Sequence, residues 1–99
     1  MILGKVIGTV WSTRKDENLV GAKFLIVQQL KLDYSPKDNF VVAVDSVGAG
    51  VSEVVLVAQG SSARQTTFTK NKPVDAVIMA IVDKLDISVK EKLSAMVSE

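Results

Sequence analysis

The chain contains neither histidine nor cysteine, and these two absences exclude most of the common catalytic and metal chemistry. Without an imidazole there is no Ser-His-Asp or Cys-His pair and no side chain that shuttles protons near neutral pH. Without a thiol there is no thiolate nucleophile, no cysteine-ligated zinc or iron–sulfur centre, and no disulfide framework of the kind small secreted domains rely on. Aromatic residues make up only 5% of the chain: Trp11, Phe24, Tyr34, Phe40 and Phe68. A single-strand-binding barrel needs stacking platforms ringed by basic residues. Only Trp11 stands near such a cluster, at Arg14-Lys15, and Asp16-Glu17 follow at once. Trp11 is therefore expected in a core or an interface. Charge of one sign is also missing, since twelve basic residues oppose eleven acidic ones. No field remains to recruit nucleic acid or an anionic membrane. The opening Met1-Ile2-Leu3-Gly4-Lys5 has no basic segment leading into a sustained apolar run. Neither a signal peptide nor a membrane span is expected, and the cytoplasm is the default location.

What is present is apolar content. Hydrophobic residues form 47% of 99 positions, enough for one domain with one core. In a domain this small, part of that content must reach the surface, where contiguous apolar area signals a partner.

The apolar runs are short and punctuated by turn-formers, the rhythm of β-structure. Strands are expected at Lys5–Thr13, Lys23–Leu30, Phe40–Val44, Glu53–Ala58 and Ala76–Val82. Gly8 marks a bend or close approach within the first, and the second reads as a strand covered on two faces. Asp33–Asn39 reads as a polar turn. Gly60–Gln65 reads as a short helical turn capped by Ser61 or Ser62. Residues 66–73 form a polar connector. In the tail, Val89, Leu93, Met96 and Val97 recur at helical spacing and predict a short amphipathic helix over 88–99. The fold class is mainly β: residues 1–87 form a small five-stranded OB-like barrel with one helical turn.

Candidate chemistry is sparse. Ser61 and Ser62 lack the usual base, with only Lys70 or Lys72 to substitute, and fit a turn or cap better. Among the carboxylates Asp45, Glu53, Asp75 and Asp83, the pair Asp45 and Glu53 is the one that could flank a substrate. The plainer reading makes Asp45 the cap of its own loop and Glu53 a charge at a strand start. No calcium-loop spacing is present. Gly48-Ala49-Gly50 lacks both the third small residue and the following helix of a dinucleotide fingerprint, so it is a turn. No enzyme activity, cofactor or metal is expected.

Three segments in register resemble the EutN/CcmL family, the pentameric vertex proteins of bacterial microcompartment shells. They are Gly4–Lys15 continuing into Gly21–Gln28, then Ala43–Val51 running through Val55–Val57 to Gly60–Arg64, and finally Pro73–Asp83. The resemblance covers about residues 1–87. It implies an OB-like barrel, a homopentamer held by heterologous contacts, hexameric shell proteins as partners, and a cytoplasmic place in a microcompartment shell. It also implies a structural role, with a nucleic-acid-binding barrel as the alternative by fold. Trp11-Ser12-Thr13-Arg14-Lys15 resembles members from catabolic compartments more than carboxysomal ones. On this reading Gly48 and Gly50 permit a tight turn that larger side chains would obstruct. Gly60, Ser61, Ser62 and Arg64 lie toward the five-fold axis, and Arg64 bridges to a neighbour's Asp45 or Asp75.

Overall fold

Pairing over long sequence distances sets the strand limits. In the computed structural model, which describes residues 1–12, 17–65 and 75–87, β1 spans Ile2–Val10, β2 Phe24–Leu30, β3 Pro36–Asp45, β4 Val54–Gln59 and β5 Ala76–Ile81. Two 3₁₀ turns, Glu17–Leu19 and Gly60–Arg64, lie between strands. The strands close in the order β1-β2-β3-β5-β4. Every described neighbour pair is antiparallel except β3 with β5, which pair parallel at Val44↔Val77 and Asp45↔Ile78. A parallel pair needs a long connection, and here that connection contains β4.

β1 and β3 depart from the sequence expectation by more than one residue. β1 begins at Ile2 rather than Lys5, because Ile2–Lys5 pair with Val57–Val54 of β4. It ends at Val10, opposite Phe24, the first residue of β2. β3 begins at Pro36, inside the stretch expected to be a turn. The turn itself is shorter: Lys31 N–H donates to Ser35 O (2.9 Å) and Tyr34 N–H to Lys31 O (3.0 Å). Asp33 Oδ1 accepts from the Ser35 hydroxyl (2.6 Å) and the Ser35 N–H (3.0 Å), and these bonds hold the Asp33 carboxyl below its ordinary pKa. The connector 66–73 and the tail 88–99, with the helix expected there, lie outside the described residues, as do Phe68, Lys70 and Lys72.

Alternation divides each strand between two environments. Val6, Leu25, Val27, Ala43, Val55, Val57, Ala76 and Ile78 point inward and form the barrel core, with Ala49 from the β3–β4 loop. β-branched side chains fill so narrow a space in few rotamers. Gly4 belongs to this inner row: a Cβ there would meet the Val27 side chain and lie 2.9 Å from Gln28 O. A second, smaller cluster sits outside the barrel, where Val44, Ala58 and Val77 are covered by Ala22 and by Ala63 of the Gly60–Arg64 turn.

Candidate functional site

Asp45 ends β3, and its carboxylate organises the loop that follows. Asp45 Oδ1 accepts N–H bonds from Val47 (3.0 Å), Gly48 (3.1 Å) and Ala49 (3.2 Å). The same loop is closed from its far side by Glu53 Oε1, which accepts from Gly50 N–H at 2.6 Å. Both carboxylates of the pair weighed as catalytic are thus engaged with backbone amides, as loop caps rather than as groups facing a common space. Ser46 Oγ donates to Ile78 O (2.6 Å), tying the loop to β5. Lys23 Nζ donates to Ala49 O (3.4 Å), tying it to the start of β2.

The glycines of this region are not equivalent. Gly48 has φ +76° and Gly60 has φ +64°, yet a Cβ at either would meet nothing within 4 Å in the subunit. At Gly48 the constraint is therefore conformational rather than the steric one expected, because the left-handed region strains any residue with a Cβ. At Gly50 a Cβ would come within 3.4 Å of Glu53 Oε1, the end of a side chain that can shift, so neither glycine of the loop is held there by a steric wall within the subunit.

The 3₁₀ turn Gly60–Arg64 follows β4 without a break. Gly60 N–H donates to Asp75 O (2.7 Å), so the turn and the approach to β5 are joined by backbone. Ala63 is buried, while Arg64 and Asp75 are exposed. The side chains of Ser61 and Ser62 lie outside the described residues. The structure brings the Asp45 loop and the Gly60 turn to one region, because Val44 pairs with Val77 and both pack in the small cluster that includes Ala63.

What sequence reasoning missed is the outer surface of the barrel. The sequence predicts cover on two faces for β2, but its outward residues Phe24 and Ile26 are only half-buried, and on the adjoining β3 outer cover reaches Val44 and stops there. Phe40 is 61% exposed and Val42 is 50% exposed, with Ile7 also exposed. Trp11 is 89% exposed, which rules out the core as its place in the subunit. It borders an open groove of about 610 Å³ lined also by Thr9, Val10, Ala22, Lys23 and Phe24. Exposed apolar area of this kind is what a partner surface presents.

Comparison with known proteins identifies the family. Residues 1–83 match the family described as ethanolamine utilisation protein EutN/carboxysome. The chain belongs to this family. A family relative, the bacterial microcompartment shell vertex protein GrpN of Rhodospirillum rubrum, is 49% identical over 86 residues, covering 87% of this chain and 97% of that protein. The carboxysome shell vertex protein CcmL of Synechocystis is 46% identical over 88 residues, covering 89% and 88%. The solved structure of the GrpN pentameric microcompartment shell protein superimposes with a TM-score of 0.80 at 47% identity, over 88% of this chain and 99% of that one. The family relatives are shell vertex proteins of microcompartments, and the five-stranded barrel is the family's fold.

Proposed function

We propose that this protein is a structural, non-enzymatic subunit that assembles into a homopentamer and caps the vertices of a bacterial microcompartment shell in the cytoplasm, beside hexameric shell proteins. The observation that carries the reading is the exposed apolar outer surface of a barrel whose relatives include a pentameric shell protein. The carboxylates Asp45 and Glu53 cap a loop, which supports a role in shape rather than in turnover. Five-fold units supply the curvature that a flat hexagonal layer lacks, and a ring demands head-to-tail contacts that close. Of the compartment types, the segment Trp11–Lys15 supports a catabolic one. The Asp45 loop and the Gly60–Arg64 turn, gathered in one region, are assigned to the five-fold axis, where Arg64 reaches a neighbour's Asp45 or Asp75.

Light scattering on the purified protein tests this reading: the expected mass is about five times 10.6 kDa. The Arg64→Glu variant is expected to elute as a monomer with an unchanged circular dichroism spectrum. A wild-type monomer overturns the pentamer. A pentameric Arg64→Glu overturns only the assignment of Arg64.

A further inference from the structure

The closed strand order leaves side-chain faces, more than strand edges, as the means of assembly. Two outward cross-strand triplets on the barrel are apolar. The first is centred on β2: Gly8, Ile26 and Val42 are cross-strand partners on β1, β2 and β3, with Ile7 in the β1 bulge and Phe40 one row away. The second is centred on β4: Leu3, Leu56 and Ala80 are cross-strand partners on β1, β4 and β5, with Met79 exposed beside them in the β5 irregularity. Leu3, Leu56 and Ala80 are half-buried by one another and their neighbours.

We infer that these two rows are the two halves of the subunit interface, the β2-centred face of one copy seating on the β4-centred face of the next. The inference rests on the pentamer proposed above and names the surfaces that build it. A heterologous contact requires two different patches on each copy, and a ring requires that they be inclined rather than diametrically opposed. Around the barrel, β2 and β4 are separated by one strand, β1, on one side and by two, β3 and β5, on the other. The two faces are therefore inclined toward the β1 side, and successive copies turn rather than stack into a straight filament. The two rows differ in relief: Phe40 and Val42 stand exposed on one, and Leu3, Leu56 and Ala80 are half-buried on the other. The two cross-strand triplets carry no charge. Lys5, in register with Gln28 and Phe40 on one side and Val54 on the other, is exposed on β1 between the faces, where its long stem lets the ammonium stay in water at the rim.

The test uses Val42→Asp and Leu56→Asp, each an added charge on one face. Each variant alone is expected to be a folded monomer, because each ring contact needs both faces intact. Mixed in equal amounts, they are expected to form a heterodimer and nothing larger. One good β2-centred face on the Leu56→Asp copy then meets one good β4-centred face on the Val42→Asp copy. Met79→Asp replaces Leu56→Asp if circular dichroism shows that the half-buried position does not tolerate a charge. Variants that remain five-copy rings overturn the face assignment and leave the pentamer standing. A mixture that stays wholly monomeric overturns the pairing of these two faces. A wild-type monomer overturns the ring and this inference together.

Discussion

At the scale of single residues, the two glycines of β1 separate local from long-range information. Gly8 interrupts a β-branched run and signals a bend in the sequence. The structure places a register shift between Val6 and Gly8, so the bend is there. A Cβ at Gly8 would lie 3.6 Å from Ile26 Cδ1, an ordinary contact. The close approach is at Gly4, where a Cβ would collide with the Val27 side chain and with the β2 backbone at Gln28 O, 2.9 Å away. Nothing adjacent to Gly4 in the chain announces this, because the obstructing atoms are more than twenty positions away. Gly4→Ala is accordingly expected to destabilise the subunit by about 1–3 kcal/mol, since backbone in a paired strand cannot step aside. Gly8→Ala is expected to leave stability unchanged or raise it by up to about 1 kcal/mol, by removing the entropic cost of glycine in a strand. Urea denaturation of the two variants checks the order, and equal losses at both positions would contradict it.

At the scale of elements, what was legible depended on whether the determinant was local. All five strands and the Gly60 turn were readable from composition and punctuation. The Asp45 cap was also readable, since Asp-Ser-Val-Gly is a chain segment whose own amides face its own carboxylate. The first residues of β1 and β3 were not, because β4 extends the former and the latter is an exposed segment whose polar residues mimic a turn. The Asp45 loop carries a prediction of its own. Three amides share one oxygen, Asp45 Oδ1, and its removal leaves their bonds to water on a partly exposed loop. Asp45→Ala is expected to cost on the order of 1–2 kcal/mol in stability. Asp45→Asn, which keeps a carbonyl acceptor at the same reach, is expected to recover at least half of that loss. Denaturant midpoints compare the three proteins, and an Asn variant as weak as the Ala variant would show that geometry of acceptance is not what the residue supplies.

At the scale of the whole molecule, the features that sequence reading placed worst are those left exposed in the single subunit, which the proposed ring would cover. β2 reads as a strand covered on both sides, and in one subunit its outward Phe24 and Ile26 are half-buried while Phe40 and Val42 on the adjoining β3 stand exposed. The excess of apolar residues in the composition is the same fact seen without coordinates. Trp11 is the sharpest instance and supplies its own probe, being the only tryptophan in the chain and 89% exposed in the subunit. It directly follows Val10, whose partner Phe24 lies at the start of β2, so it adjoins the face centred on that strand. Burying an indole of ~200 Å² at ~25 cal/mol per Å² contributes about 5 kcal/mol before ordering costs. That is enough to make its position matter to assembly. The ring is therefore expected to show a blue-shifted tryptophan emission relative to the monomeric Val42→Asp variant, with no difference in far-ultraviolet circular dichroism. Dilution of the ring should carry the emission toward that of the variant as mass is lost. If ring and monomer share one emission maximum, Trp11 faces solvent in both, and the subunit contact must stop short of the end of β1.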